Sequence, residues 1–133
     1  MLKKIYEDCQ IFYSLPGGHQ EPGEALDQAV IREVYEETAA IVSVLDLVRV
    51  YEHIYPSRKE QGVINHSIEF AFLCSIEGLY KPEMGKHPDP HQVAVEWMDM
   101  RSLKGLSFYP TRLPEILTTL KLTNQKIYAG DMT

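Results

Sequence analysis

The chain has 133 residues, 24% of which are charged, and a net charge of −6 at neutral pH. This length favours a single domain, residues 1–133, with one hydrophobic core. The negative net charge argues against general electrostatic binding of nucleic acid. It does not exclude a phosphorylated small molecule as the ligand, because a divalent metal ion can balance the charge of the phosphate locally.

Cysteine content and apolar runs indicate the compartment. No apolar run reaches the roughly 18 residues that a membrane span needs, and MLKKIYEDCQIFY has no continuous apolar stretch typical of a secretory signal. Cys9 and Cys74 are too few for a disulfide framework and form no CxxC pattern. These features favour a reduced cytoplasmic compartment and no membrane partner.

The first landmark along the chain is the loop LPGGHQEPGE at residues 15–24, which two Pro and three Gly mark. About 14 residues precede it, which leaves room for one strand at most. From Glu24 to Thr38 there is no Pro or Gly, and Ala, Leu, Glu, Gln and Arg dominate. This composition predicts a helix with Glu24 in its acidic first turn.

The rest of the chain predicts mainly strands. Residues 41–55 and 63–76 are rich in β-branched and aromatic residues and are separated by a polar loop, 56–62. Residues 77–91, EGLYKPEMGKHPDPH, form a long connection whose length suggests a function. A short strand at 92–100 and a helix at 111–122, with Pro114 in its first turn, follow. Two helices without regular βαβ alternation predict an α/β fold of the α+β type, with a mixed sheet flanked by helices.

The first predicted helix carries three glutamates in five positions, Glu33, Glu36 and Glu37. At about 100° per residue, the last two lie within roughly 60° on either side of the first. They continue an apolar stripe that includes Leu26 and Ala29, so they face partly toward the core. Their repulsion costs about 0.2–0.5 kcal/mol per pair in water, and burial raises that cost.

A bound divalent metal ion would offset the repulsion between the three carboxylates. Arg32 can pair with Glu36, but one cation does not balance three anions. Clustered carboxylates suit Mg²⁺ or Mn²⁺ better than zinc. The alternative is an acidic helix end that is simply solvated. Gly17 and Gly18 favour the metal site, because a backbone without side chains can approach a ligand closely or offer a carbonyl to a metal.

The spacing of these residues resembles the Nudix box, Gly-x5-Glu-x7-Arg-Glu-aliphatic-x-Glu-Glu. The matching positions are Gly18, Glu24, Arg32, Glu33, Val34, Glu36 and Glu37. The box covers residues 18–40, and the chain is identified as a member of the MutT-like Nudix superfamily. Ala39 stands where the family usually has Gly. If that Gly serves a left-handed helix stop, Ala39 costs about 1 kcal/mol.

The resemblance implies a fold and a set of roles. The fold is an α/β/α sandwich whose first strand or strands are short or missing here. The implied ligands of Mg²⁺ or Mn²⁺ are Glu33, Glu36, Glu37 and the carbonyl of Gly17 or Gly18. Glu33 is the first candidate for deprotonating the attacking water, and Glu36 is an alternative. Arg32 orients the carboxylates and forms a structural pair with Glu24.

Residues outside the box are weaker candidates. A further acid could come from the long connection, as Glu83 or Asp89, although Glu69 and Glu96 remain open. Three aromatic residues could stack on a nucleobase or serve only in packing: Tyr51, Tyr55 and Phe70. Arg58 and Lys59 could meet an outer phosphate or form a charged loop tip.

The resemblance implies a metal-dependent hydrolase of a phosphoanhydride bond in a nucleoside diphosphate linked to another moiety. The substrate would be a small nucleotide or nucleotide sugar. The alternatives are a catalytically inactive sensor of a nucleotide or sugar phosphate, and a purely structural domain. An unpaired edge near the short N-terminus would favour a homodimer.

Overall fold

A computed structural model describes residues 1–57, 60–120 and 126–132. Its elements are β1 (Leu2–Ile5), β2 (Ile11–Ser14), α1 (Leu26–Thr38), β3 (Val42–Pro56), β4 (Ile64–Ile76), β5 (Gln92–Val95), α2 (Leu113–Thr119) and β6 (Tyr128–Asp131). The strands form two three-stranded sheets, in the orders β2-β1-β5 and β4-β3-β6. The predicted mix of strands and two helices is confirmed, but the strands form two sheets instead of one.

The N-terminal segment contains two strands, so the prediction of room for one strand at most is wrong. Of the two alternatives for the first strands, short or missing, the structure shows short ones. The strands β1 and β2 have four residues each and pair antiparallel, with Leu2 opposite Ser14 and Ile5 opposite Ile11. Cys9 has a positive φ of 60°, which makes the tight reversal between them possible. Because β1 lies between β2 and β5, it is not an unpaired edge. The homodimer stays a prediction, but an unpaired β1 no longer supports it.

The second sheet is built on a long antiparallel ribbon of β3 and β4. Its register shifts between Val44 and Asp46 and again between Leu47 and Arg49. From Arg49 to Pro56 the pairing is regular, so alternate residues of β3 face opposite sides of the sheet. The strand β6 pairs parallel to β3. The sequence did not predict β6, because its four residues contain Gly130 and no apolar alternation.

Two other boundaries differ from the predictions. The strand predicted over residues 92–100 ends at Val95, and the helix predicted over 111–122 occupies Leu113–Thr119. Residues 121 and 122 lie outside the described part of the chain. No helix in that part is long and apolar enough to cross a membrane.

Helix α2 connects the two buried clusters. Leu113 packs with Tyr13 and Phe108 beside the first sheet. Ile116, one turn later, packs with Tyr51 of β3 and with Met132. Full burial of such side chains contributes about 1.5–3 kcal/mol each. These contacts fix α2 between the sheets, while α1 packs against β3.

Candidate active site

Helix α1 carries the acidic residues on its last two turns. It begins at Leu26, two residues after the predicted start, because the backbone of Ala25 is still extended. Its end at Thr38 is the predicted one. Ala39 follows with a φ of 56°, and its N–H donates to the Tyr35 carbonyl (2.9 Å). The left-handed stop expected at Ala39 is therefore present in a residue that carries a Cβ.

Arg32 connects the preceding loop to α1. Its Nε and Nη2 donate to the two carboxylate oxygens of Glu24, at 2.8 and 3.0 Å. Nη2 also donates to the His19 carbonyl (3.0 Å). The hydrogen bond from Arg32 lowers the pKa of the Glu24 carboxyl. The predicted structural pair therefore lies together, and it fixes the course of the loop.

The third nitrogen of Arg32 lies between two of the acidic side chains. Nη1 donates to Glu33 Oε1 (2.9 Å) and to Glu36 Oε2 (3.2 Å). As placed, the described residues contain no group of three acidic, His or Cys side chains that could hold a metal ion. A cation at this position would therefore compete with Arg32 for Glu33 and Glu36.

Glu37 is the most buried of the three acids, at 5% exposure. Its Oε2 accepts a hydrogen bond from the backbone N–H of Gly17 (2.8 Å). Burial raises the pKa of this carboxyl to about 7, although the Gly17 N–H and the positive charge of Lys4 oppose the rise. A buried carboxylate that accepts only one backbone hydrogen bond among the described residues would be stabilised by a bound cation.

The loop lies directly against the glutamates. A Cβ on Gly18 would stand 2.3–2.6 Å from the carboxylate atoms of Glu33, so a larger residue here would displace that carboxylate. The potential metal ligands here are hard carboxylate oxygens at the C-terminal end of a helix, where the macrodipole is negative. These residues fit a hard divalent cation such as Mg²⁺ or Mn²⁺, once the carboxylates turn from Arg32.

The long connection covers the end of α1 and satisfies its last carbonyls. The connection donates three hydrogen bonds to these carbonyls: Gly85 N to Glu37 O (3.0 Å), His87 N to Glu36 O (2.9 Å) and Tyr80 Oη to Thr38 O (2.7 Å). Gln92, the first residue of β5, adds a hydrogen bond from its Nε2 to Glu37 O (2.8 Å). Carbonyls at the end of a helix have no partner within the helix. The connection thus fixes the turn that carries the acidic residues.

Three residues near the acids were missed by the sequence analysis: Lys4, Gly85 and Gln92. A Cβ on Gly85 would stand 2.0 Å from the Glu36 carbonyl oxygen, so the backbone itself makes the contact. Gln92 is 7% exposed, and Lys4 pairs with Asp89 (3.0 Å). The length of the connection was the only signal in the sequence that pointed to this region.

The candidate extra acids occupy different surroundings. Asp89 pairs with Lys4, and its charge reaches Glu37, where it raises the pKa of that carboxyl. Glu83 is exposed and lines a cavity of about 560 Å³ beside Tyr80. Glu96 follows the end of β5 and pairs with Lys3 (3.2 Å), whereas Glu69 lies on β4, with its Oε1 3.6 Å from His53 Nδ1. Of these four candidates, Asp89 is the one whose charge affects the pKa of Glu37.

The structure separates the three aromatic candidates. Tyr51 is 4% exposed and lies opposite Glu69 in the ribbon. Tyr55 is on the same face and packs against the ring of His53 (4.6 Å between centroids). Phe70 lies on the other face and is 43% exposed. The three therefore do not line one pocket. Arg58 and Lys59 lie outside the described residues.

Comparison with known proteins gives consistent matches. The model of the NUDIX domain matches residues 3–118. The ADP-ribose pyrophosphatase of Methanocaldococcus jannaschii is 34% identical over 96 residues, which cover 72% of this chain and 51% of that protein. The NAD-capped RNA hydrolase NudC of Chromobacterium violaceum is 32% identical over 95 residues, 71% of this chain and 31% of that protein. The chain thus spans about half or less of the length of these relatives.

A solved structure supports the fold. The crystal structure of an ADP-ribose pyrophosphatase from Streptococcus suis matches with a TM-score of 0.56 and 21% identity. The match covers 98% of this chain and 87% of that chain. At this identity the likeness concerns the arrangement of helices and strands.

Proposed function

The chain belongs to the Nudix family, and we propose that it is a metal-dependent hydrolase of a phosphoanhydride bond in a nucleoside diphosphate linked to another moiety. One observation carries the proposal. The glycine loop lies against the acidic end of α1, with the Gly17 N–H on Glu37 (2.8 Å) and Gly18 against Glu33. A solvated acidic surface would not require such a loop.

The proposed ligands of a Mg²⁺ or Mn²⁺ ion are Glu33, Glu36 and Glu37, with Gly18 beside them. The ion would stabilise negative charge on the diphosphate oxygens and lower the pKa of a bound water. Each of the three carboxylates has one oxygen in a hydrogen bond. The other oxygen of each has no hydrogen-bond partner among the described residues, so it is available to a ligand.

The protein's own residues position the reacting groups. Arg32 anchors the loop through Glu24 and orients Glu33 and Glu36 through Nη1. Glu33 is the proposed base for the attacking water, because it faces the loop at Gly18. Glu36 is the alternative base. In both assignments a positioned carboxylate accepts the proton of the water.

The names of the relatives suggest which substrates to test first. ADP-ribose is a nucleoside diphosphate linked to a sugar, and an NAD cap places the same kind of linkage at the end of an RNA. The common element is a diphosphate between two larger groups. We therefore propose ADP-ribose as the first compound in a panel and an NAD-capped RNA as the second.

The experiment measures hydrolysis of this panel, together with a nucleotide sugar and nucleoside triphosphates, with Mg²⁺, Mn²⁺ or EDTA. We expect metal-dependent turnover of at least one diphosphate-linked compound, and a fall of about 100-fold or more in Glu36→Gln. Glu7→Gln is the matched control, because it makes the same change at an exposed residue outside the site.

The sensor hypothesis predicts a different result. A sensor would bind one compound of the panel tightly, in a metal-dependent manner, without hydrolysing it. Isothermal titration calorimetry on the same panel detects such binding. Equal hydrolysis by Glu36→Gln and the unmutated protein would overturn the assigned site even if turnover occurred.

A further inference from the structure

A second cavity lies between β3, α2 and β6. Its volume is about 280 Å³, and three cationic side chains line it: Arg49, Arg112 and Lys126. None of its lining residues belongs to α1 or to the loop before it. The cavity is smaller than the roughly 300–1,000 Å³ of pockets for drug-sized ligands, so it suits a small ligand or one end of a larger one.

Arg49 is buried, and no counter-charge contacts it in the part of the chain that the structure describes. The residue is 7% exposed, and among the described residues its Nη1 donates to the Val48 carbonyl (2.6 Å) and its Nη2 to Thr119 Oγ1 (3.4 Å). Among the described residues, no carboxylate forms an ion pair with it. A buried charge without a partner is costly, and a guanidinium has five N–H donors to satisfy.

The neighbouring charges leave the cavity positive. Arg112 is balanced, because its Nε and Nη2 donate to the carboxylate of Glu115, at 3.0 and 2.7 Å. Lys126 is exposed and forms no ion pair with the described residues. The charge of Asp131 also acts on Arg112, but Asp131 does not line the cavity. Within the described residues, Arg49 and Lys126 thus have no ion pair and are available to an anion.

We propose that this cavity binds a small phosphate-type anion, either free inorganic phosphate or the phosphate group of a monoester. Arg49 contacts the anion from the buried side and Lys126 from the exposed side. The planar fork of an arginine suits the oxygens of a phosphate, and a dianion balances the charges of both residues. This site is separate from the glutamates of α1, and it does not depend on the proposed hydrolase activity.

The test measures binding of inorganic phosphate and of glycerol 3-phosphate by isothermal titration calorimetry and thermal denaturation. The protein is kept in EDTA, and sodium chloride keeps the ionic strength constant. We expect saturable binding and a rise in Tm with at least one of the two compounds. Binding of the monoester alone would assign the site to a phosphate group on a larger ligand.

Variants then locate the site. We expect Lys126→Gln to raise the Kd about tenfold, which corresponds to about 1.4 kcal/mol, and Arg49→Gln to abolish detectable binding. Lys104→Gln, at an exposed lysine outside the cavity, should leave the Kd unchanged. Glu36→Gln should also leave it unchanged, because the anion does not bind at α1.

Two results would overturn the proposal. One is that both compounds raise the Tm no more than chloride does at equal ionic strength. The other is that Lys126→Gln binds with the Kd of the unmutated protein. Because Lys126 is exposed, this variant decides the outcome even if Arg49→Gln fails to fold.

Discussion

Replacement of Gly85 with alanine should separate the long connection from the end of α1. The added Cβ would stand 2.0 Å from the Glu36 carbonyl oxygen and 2.8 Å from that of Tyr35. Backbone atoms cannot remain this close, so the connection must retreat by about 1 Å or more. That shift breaks the hydrogen bonds from Gly85 N to Glu37 O (3.0 Å) and from His87 N to Glu36 O (2.9 Å).

The loss of stability can be approximated from these contacts. Each hydrogen bond contributes about 0.5–1.5 kcal/mol, and overpacking adds about 1–3 kcal/mol. Some of this strain is relieved as the bonds break, so we expect Gly85→Ala to lower the free energy of unfolding by about 2–4 kcal/mol. The same displacement moves the turn that carries Glu36 and Glu37, so the rise in Tm with Mg²⁺ should shrink.

Urea denaturation in EDTA measures the free energy of unfolding, and thermal denaturation with and without Mg²⁺ measures the metal effect. Gly105→Ala is the control, because Gly105 also lies in a loop but nothing stands within 4 Å of an added Cβ. Its φ of 85° still costs about 1–2 kcal/mol in alanine, but the metal effect should be unchanged. If Gly85→Ala unfolds like the unmutated protein and keeps its full metal effect, the connection does not position the acidic turn.

Three further substitutions test individual residues of α1 and the Ala39 that ends it. Because the pKa of Glu37 is about 7 in the folded protein against an ordinary 4.5, metal-free protein should lose stability as pH rises from about 4.5 to 8. Urea denaturation in EDTA at pH 8 should find Glu37→Gln more stable by up to about 3 kcal/mol, and a less stable variant would contradict the assigned burial cost. Ala39→Gly should raise the free energy of unfolding by about 0.5–1 kcal/mol, because glycine adopts the left-handed conformation without the cost of a Cβ; a lower Tm would contradict this. Arg32→Lys should lower kcat about 10- to 100-fold, since lysine cannot contact Glu24 and Glu33 together, and steady-state kinetics with full activity would refute the orienting role.

The local part of the site was predictable from the sequence. The run without Pro or Gly predicted α1 to within two residues at its start and correctly at its end, because composition and periodicity decide a helix of this length. The resemblance to the Nudix box also implied a pair of Glu24 and Arg32, and Arg32 Nε lies 2.8 Å from Glu24 Oε1 in the structure. In both cases the interacting residues are close in sequence.

The parts that the sequence did not predict depend on distant contacts. Strand β6 forms only beside β3 and has no pattern of its own. The N-terminal hairpin is stabilised in part by β5, more than 80 residues later, where Leu2 lies opposite Val95. Gly85 and Gln92 acquire their role only because the chain returns to the end of α1. No local preference identifies such residues.

The geometry of Arg32 shows how the site could gain a cation without losing the loop. Nε and Nη2 contact Glu24 and His19, whereas Nη1 alone contacts Glu33 and Glu36. The two groups of contacts therefore use different nitrogens of one rigid guanidinium. A cation that draws Glu33 and Glu36 away from Nη1 leaves the other nitrogens in place, so the glycine loop stays against the acidic turn. A lysine has a single nitrogen and cannot separate these two tasks.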